Sequence, residues 1–219
     1  MPTQRIAVYG AGGFAREAAW LVESCNVDQE RYQVVCFIDD NPNTHGTLLN
    51  GFPIMGLEAA SQQFPDVQVV IGIGEPKTRQ KIADKVAAAG LGFASVVHPR
   101  TEMSRWVEVG EGAVICAGNI LTTNIRLGKQ VQINLDCTVG HDVVMDDYTT
   151  LAPGAHISGW VHFGKRVYVG TGAVILQGNS AAPLTIGDDA VIGAGAVVNK
   201  PVPAGVTVVG IPAKPLQRG

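Results

Sequence analysis

The chain reads LTTNIRLGKQVQINLDCTVGHDVVMDDYTTLAPGAHISGWVHFGKRVYVGTGAVI from residue 121 to residue 175, and every sixth residue of this stretch is apolar. The register begins upstream, so the apolar residues stand at positions 97, 103, 109, 115, 121, 127, 133, 139, 145, 151, 157, 163, 169 and 175. In a chain that is 46% hydrophobic, such a run arises by chance with a probability of roughly 10⁻⁵ to 10⁻⁴. The period slips by five residues at Ala181–Thr185 and resumes at Ile186.

A six-residue period is typical of a β-helix, in which each hexapeptide forms one short strand and one corner. We expect the periodic residue to point inward. The residue four places later is mostly small or β-branched, as at Ala113, Cys137 and Ala155, and fills the corner. An amphipathic α-helix is excluded because six is not a multiple of its 3.6-residue period and because the segment is rich in Gly and Val.

The first 97 residues show a different pattern, in which strands and helices alternate. Predicted strands and helices are Ile6–Tyr9, Phe14–Glu23, Val34–Ile38, Val67–Ile73 and Glu75–Ala89. Such alternation with continuously apolar strands indicates a mainly parallel sheet covered by helices. The sequence therefore predicts a half-Rossmann-like α/β domain at residues 1–97 and a β-helix domain at residues 98–219.

Composition excludes several classes of function. Lys plus Arg number 16 and Asp plus Glu number 19, so the net charge of −3 argues against a nucleic-acid or anionic-membrane partner. The start of the chain lacks the features of a signal peptide, and no apolar run reaches the length of a membrane span. The four cysteines form no CxxC pair, which favours reduced thiols. We therefore expect a soluble cytoplasmic protein.

The repeat resembles the left-handed β-helix acyltransferases, in which three hexapeptides make one triangular coil of eighteen residues. Gly210-Ile211-Pro212-Ala213-Lys214 looks like their C-terminal G-x-P-A-K signature. The ordered motifs GAGGFA, FIDDN, INLDCTVGHD and GAHISG are similar to those of the bacterial nucleotide-amino-sugar N-acetyltransferases and sialic acid O-acetyltransferases, and this resemblance spans nearly the whole chain. It implies a homotrimer that uses acetyl-CoA as cosubstrate. The implied acceptor is a nucleotide-linked 4-amino-4,6-dideoxysugar, with GDP-perosamine as first candidate, for O-antigen or surface polysaccharide synthesis.

Eighteen residues per coil place His141, Gly159, Gln177 and, after the slip, Lys200 in one outward column. Imidazole suits the removal of a proton from an amine near neutral pH. Gly159 is expected to leave room for a thioester and to offer an N–H to the oxyanion. Asp142 is expected to orient the His141 ring. The resemblance implies the same roles for the residues that match, with Gly159, Gln177, Gly195, Lys200 and Lys214 on the CoA side.

Most of the residues predicted to bind the nucleotide sugar lie in the N-terminal half. The segment 10–15 fits G-x-G-x-x-G/A between a strand and a helix, a pattern that holds a diphosphate. Asp39 and Asp40 end the second strand, where carboxylates accept hydrogen bonds from a base or ribose. With the Asn that the family places near the reacting sugar, the expected substrate-binding residues are Gly10, Gly12, Gly13, Phe14, Asp39, Asp40, Glu75, Lys77 and Asn134. Many relatives have a diphosphate-contacting His where Phe14 stands, and this departure leaves the usual UDP substrate in doubt.

Other functions stay open at this point. O-acetylation of a sialic acid and N-acetylation of a UDP- or dTDP-linked 4-amino sugar are the close alternatives. An NAD-dependent oxidoreductase would explain the glycine loop alone, but about 95 residues are only half of the usual two-part nucleotide fold. A zinc site of the β-helix type needs converging histidines, and no two of the five are 18 or 36 residues apart, so no metal is expected. A purely structural β-helix would not need the nucleotide-binding half.

Overall fold

The structure, a computed structural model, describes residues 3–27 and 29–216. Its backbone divides into two units, Met1–Pro99 and Arg100–Gly219. The sequence places the boundary two residues earlier, after residue 97. None of the described helices has the length and apolar character that crossing a membrane requires.

The N-terminal unit is a twisted sheet with helices between its strands. Its strands are β1 (Gln4–Tyr9), β2 (Tyr32–Ile38), β3 (Leu48–Leu49), β4 (Phe52–Met55), β5 (Gln68–Ile71), β6 (Gly92–Phe93) and β7 (Val96–Val97). Its helices are α1 (Gly13–Ser24), α2 (Leu57–Gln63), α3 (Pro76–Ala88) and a 3₁₀ turn at Pro42–Thr44. Six strands form one sheet in the order β3-β4-β2-β1-β5-β6, parallel except for the β3–β4 hairpin. The predicted mainly parallel α/β domain is confirmed.

Glycine sets the approach of α1 to the sheet. A Cβ at Gly72, just beyond β5, would lie 2.5 Å from the Cα of Ala15 in the first turn of α1. Only a residue without a side chain allows two backbones to come this close. The glycine loop at the end of β1 is thereby held against the end of β5.

The C-terminal unit is a parallel β-helix made of short strands. They are β8 (Glu102–Met103), β9 (Val107–Val109), β10 (Val114–Ile115), β11 (Ile120–Leu121), β12 (Ile125–Leu127), β13 (Gln132–Ile133), β14 (Thr138–Val139), β15 (Val144–Met145), β16 (Thr150–Leu151), β17 (His156–Ile157), β18 (Val161–Phe163), β19 (Tyr168–Val169), β20 (Val174–Ile175), β21 (Leu184–Ile186), β22 (Val191–Ile192), β23 (Val197–Val198), β24 (Thr207–Val209) and β25 (Lys214–Pro215). From β8 to β20 each strand pairs in parallel with the third strand after it, β22 pairs in parallel with β24, and among the described strands of this unit the last pair, β24–β25, is the antiparallel one.

The register of the strands follows the sequence period. Leu121 pairs with Val139, Val139 with Ile157 and Ile157 with Ile175, so each coil contains eighteen residues. The periodic residues from Ile115 to Ile175 are buried, as are the small residues four places after them. The parallel β-helix predicted from the hexapeptide repeat, which the resemblance implies to be left-handed, is confirmed.

The five-residue slip lies earlier than predicted. Leu184–Ile186 already forms β21 and pairs with β18, so the extra residues belong to the loop at 176–183. In this loop the side chain of Asn179 accepts hydrogen bonds from the N–H groups of Ala181 and Ala182 and closes a turn. Counting hexapeptides locates an insertion only between two periodic residues. The position of the loop is decided instead by Leu184, which is buried beside Val161.

Candidate active site

His141 and Asp142 form a hydrogen-bonded pair at a corner between β14 and β15. Nδ1 of His141 lies 2.8 Å from Oδ2 of Asp142. Because a carboxylate only accepts hydrogen bonds, Nδ1 carries a proton, and in the neutral imidazole this tautomer leaves the lone pair on Nε2. The His141 side chain is 55% exposed and that of Asp142 26% exposed. The pair therefore presents a basic nitrogen to a ligand while its orienting carboxylate is mostly covered.

Asp142 takes the left-handed backbone conformation that this corner requires. Its φ is +58°, and that of Asn124, one coil below, is +55°. Asn and Asp tolerate this region better than other residues that carry a side chain. The Asn124 side chain also donates a long hydrogen bond of 3.4 Å to Oδ1 of Asp142. Both oxygens of the carboxylate thus face a donor.

Gly159 lies one coil above His141, but it does not leave an empty space as expected. A Cβ at position 159 would lie 2.5 Å from Cε1 and 2.6 Å from Nε2 of His141, so the imidazole itself covers the glycine. Across the chain that the structure describes, no group accepts a hydrogen bond from the Gly159 N–H. The glycine thus allows the ring to lie against the backbone, and the role of its buried N–H as an oxyanion donor stays a prediction.

Trp160 is a third neighbour of the imidazole, and sequence reasoning missed it. The ring centroids of His141 and Trp160 are 6.3 Å apart and the ring planes meet at 84°, an edge-to-face contact. The residue directly follows Gly159 and thus occupies the corner above Asp142. Only the stacking of coils reveals this contact, because nineteen residues separate the two rings in the sequence.

The predicted CoA side continues the column upward. The pairing of Ile157 with Ile175 and of Ile175 with Val198 places Gly159, Gln177 and Lys200 in successive coils by residue count. Gln177 and Lys200 are exposed. Gly195, with a φ of +65°, and Lys214 in β25 are exposed as well. The structure leaves these side chains accessible, and their contact with CoA stays a prediction.

Asn134 lies in the wall of the β-helix. It is only 9% exposed, and its side-chain amide donates to the carbonyl of Leu151 at 2.8 Å. The buried Asn119 likewise bonds backbone groups of Cys116 and Cys137. These contacts give Asn134 a structural task, and a direct contact with substrate stays a prediction.

The glycine loop leads from β1 into α1, and its Gly12 and Gly13 are exposed, whereas Gly10 is buried. Gly10 has a φ of +111°, and a Cβ there would lie 2.9 Å from Cδ1 of Ile73, so the fold itself requires this glycine. Gly12 is the N-cap of α1 and has no side chain that could cap the helix. A Cβ at this position would meet no atom within 4 Å. The Arg16 guanidinium lies near Gly13 and brings a positive charge to the loop. The neighbouring Phe14 has no charge. The open space and unmatched helix N–H groups suit an anion.

Asp40 belongs to a hydrogen-bonded cluster that the sequence did not reveal. Its Oδ1 accepts hydrogen bonds from Tyr9, at 2.7 Å, and from Lys85. Burial and the Asp40 carboxylate raise the pKa of Tyr9 to about 12. Partial burial alone would raise the pKa of Asp40, but the hydrogen bonds from Lys85 and Tyr9 lower it below its ordinary value. Asp40 is therefore held as a carboxylate.

A cleft of about 500 Å³ opens beside this cluster. It is lined by Asp39, Asp40, His45, Gly56, Leu57, Glu58, Ser61, Lys85 and Ala89. Asp39 uses one oxygen to accept a hydrogen bond from the Asn41 N–H at 2.8 Å. Carboxylates at the ends of parallel strands, beside a cleft, fit the expected recognition of a base or ribose.

Glu75 and Lys77 start the next helix. The Glu75 carboxylate caps α3 by accepting hydrogen bonds from the N–H groups of Lys77 and Thr78. Partial burial raises the pKa of Glu75, but the hydrogen bonds from Thr78 and Lys77 outweigh this effect and lower it. The fully buried Arg79 donates to the carbonyls of Ile73 and Gly74 and so holds the preceding loop. Glu75 thus has a capping role, and its contact with a diphosphate stays a prediction.

Comparisons with known proteins find relatives along nearly the whole chain. The family model for the PglD N-terminal domain matches residues 5–86. Over 217 residues the chain is 34% identical to GDP-perosamine N-acetyltransferase from Escherichia coli O157:H7, and the match covers 96% of each chain.

Two solved structures share the whole architecture. WeeI from Acinetobacter baumannii AYE is 41% identical with a TM-score of 0.88, and the match covers 98% of this chain and 100% of WeeI. PerB from Caulobacter crescentus, solved in complex with CoA and GDP-perosamine, is 28% identical with a TM-score of 0.85, and the match covers 97% of both chains.

Proposed function

The chain belongs to the hexapeptide-repeat N-acetyltransferases of nucleotide-linked amino sugars, and we propose that it acetylates the 4-amino group of a GDP-linked 4-amino-4,6-dideoxysugar, with GDP-perosamine as first candidate. It is an acetyl-CoA-dependent transferase. The observation that carries the proposal is the His141–Asp142 pair lying against Gly159, whose N–H donates no hydrogen bond within the part of the chain that the structure describes.

In this proposal His141 is the general base. The neutral amine of the sugar attacks the thioester carbonyl of acetyl-CoA, and Nε2 of His141 accepts the proton that the amine loses. Asp142 fixes the tautomer that leaves Nε2 unprotonated and stabilises the positive charge that the ring gains. When the tetrahedral intermediate collapses, the C–S bond breaks and the CoA thiolate leaves with the proton that His141 returns.

Gly159 supplies the electrostatic part of catalysis. Negative charge builds up on the carbonyl oxygen as the amine attacks, and a fixed N–H donor stabilises this charge without reorganisation. The Gly159 N–H is suited to this task because the described chain offers it no acceptor of its own. The imidazole that packs on the same glycine lies beside the reacting carbon.

The proposed binding site of CoA is the column of residues above His141. Neighbouring coils are about 4.8 Å apart, so three steps from His141 to Lys200 span roughly 14 Å, comparable to an extended pantetheine arm. Gln177 would contact the arm and Lys200 a phosphate, with Gly195 and Lys214 nearby on the CoA side. PerB, which shares the fold along its whole length, binds CoA.

The proposed binding site of the nucleotide lies in the N-terminal unit. Its exposed glycine loop and Arg16 suit the diphosphate, and the cleft beside Asp39 and Asp40 suits the base and ribose. The PglD N-terminal domain matches this same part of the chain. Phe14 in the loop is compatible with a nucleotide other than UDP, and PerB was solved with GDP-perosamine bound.

The substrate is tested by a panel of acceptors. The purified chain is incubated with acetyl-CoA and with GDP-, UDP- or dTDP-linked 4-amino-4,6-dideoxysugars, or with free sialic acid. The masses of the products are measured by mass spectrometry. An acetyl group gained fastest by the GDP-linked sugar supports the proposal. Preference for a UDP- or dTDP-linked sugar would refute the base assignment, and acetylation of sialic acid alone would refute N-acetylation.

We also propose that the chain works as a homotrimer in the cytoplasm. The β-helix unit exposes large apolar side chains, including Met103, Ile120 and Leu176, which suits subunit contacts. Cys36 and Cys137 are buried free thiols, and burial raises the pKa of Cys36 to about 12 and that of Cys137 to about 11, as expected of inert reduced cysteines. Sedimentation at about three times the 23.0 kDa chain mass is expected, and a monomer would refute the trimer.

A further inference from the structure

Trp160 occupies a backbone position that does not suit a tryptophan. Its φ is +57°, at the corner where the two coils below carry Asn124 and Asp142. Asn and Asp tolerate the left-handed region, whereas a bulky side chain there is strained. The backbone is nevertheless fixed, because the Trp160 N–H donates to the His141 carbonyl and its carbonyl accepts from the Leu184 N–H. Gln130, Tyr148 and Arg166 take the same conformation elsewhere in the β-helix, so the fold imposes it, and a favourable contact of the indole offsets part of the strain.

The contact that the structure offers is with the catalytic base. The indole meets the His141 imidazole edge to face at 6.3 Å. Aromatic pairs in this geometry attract each other beyond the area that they bury. The Trp160 side chain is half-buried, so it is fixed well enough to act as a wall for the ring.

The imidazole needs such a wall. More than half of the His141 side chain is exposed, and Asp142 holds only its Nδ1 edge. One hydrogen bond leaves the ring free to tilt about that edge. Gly159 closes one side of the ring, and Trp160 closes a second.

We propose that Trp160 is a positioning residue that holds the His141 imidazole in the orientation from which Nε2 takes the amine proton. The inference rests on the proposed function, since it assigns His141 as the base. Trp160 would therefore act on the chemical step and not on the binding of either substrate. Its effect should vanish when the imidazole is absent.

The test is a double-mutant cycle on kcat with a matched control. Trp160→Leu is expected to lower kcat about 3- to 30-fold with little change in either KM, because a misplaced base slows only the chemical step. Trp160→Phe, which keeps an aromatic ring, should recover most of the rate. Trp106→Leu is the control: this tryptophan lies in the same column of corners but packs on Arg105, so kcat should not change.

In the His141→Asn background, Trp160→Leu should cause no further loss. An additive loss, or a loss expressed in KM, would overturn the inference while leaving the proposed function intact. A wild-type chain that acetylates no amino sugar would refute the proposed function itself.

The contact is also tested without activity. In a Trp20→Phe, Trp106→Phe background, His141→Asn should change the emission of Trp160 at a fixed pH, because it removes the ring that contacts the indole. Emission that does not depend on His141 would show that the two rings are not in contact in solution, and would refute the inference on its own.

Discussion

Substitution of Gly159 by alanine tests the geometry of the base directly. The added methyl carbon would lie 2.5 Å from Cε1, 2.6 Å from Nε2 and 3.0 Å from Cδ2 of His141. Carbon atoms in contact normally stay about 3.5 Å or more apart, so the ring has to move by about 1 Å. A shift of about 1 Å in a catalytic group can cost about 10²-fold in rate. We therefore expect kcat of Gly159→Ala to fall by about 10²-fold.

The fold should tolerate this change. The methyl group meets the exposed imidazole and not the backbone, and the ring can swing toward solvent. Gly140→Ala is the matched control, because its methyl carbon would lie 2.7 Å from the Gly159 nitrogen and 2.8 Å from the Ser158 carbonyl carbon. Backbone atoms cannot swing aside, so Gly140→Ala is expected to lower Tm, whereas Gly159→Ala keeps the wild-type Tm.

The assay follows release of the CoA thiol during turnover, with Tm measured on the same samples. Combining Gly159→Ala with His141→Asn should add little to the loss caused by His141→Asn alone, because the displaced group is already gone. Wild-type kcat in Gly159→Ala would refute the reasoning, since the imidazole position seen here would then not be the reactive one. A loss of kcat that is matched by a loss of Tm would assign the effect to folding.

Four further predictions concern residues of the two units. His141→Asn is expected to lower kcat by about 10²- to 10⁴-fold with little change in either KM, as steady-state kinetics would show; full activity would place the base elsewhere. Gly12→Val is expected to raise the KM for the nucleotide sugar much more than that for acetyl-CoA, because its side chain enters open space at the loop, whereas Gly10→Val, which meets Ile73, should lower Tm; equal KM changes for both substrates would make Gly12 structural. Lys200→Ala is expected to weaken CoA binding more than dephospho-CoA binding in calorimetry, by about 1–3 kcal/mol for one phosphate contact; unchanged CoA affinity would show that the inserted loop breaks the column. Because the pKa of Asp40 is lowered in the folded state, its ionisation stabilises the fold above the unfolded-state pKa; the Tm advantage of wild type over Asp40→Asn should shrink as pH falls from 6 to 3, and a constant difference would contradict it.

Local sequence patterns were sufficient for the main elements of both units. Each apolar run before residue 97 is a strand, and α1 and α3 lie within a residue of their predicted bounds at each end. The β3–β4 hairpin and α2 were missed because their apolar segments are too short to show a period. The inserted loop was misplaced because its true start depends on which leucine fills the core, and that is a matter of packing.

The sequence by itself determined the β-helix. One side chain in every six points inward and has to be apolar, and this period is visible in the sequence without knowledge of any tertiary contact. It also determined which residues lie above His141, because residues one coil apart in sequence are neighbours in adjacent coils. Only the tertiary structure decided how the imidazole is held. The ring lies on Gly159, eighteen residues away, and against Trp160, while Tyr9 and Lys85 come to Asp40 from two other elements. Such contacts join residues that are far apart in the chain, and no local period records which side chains meet when coils and sheets stack.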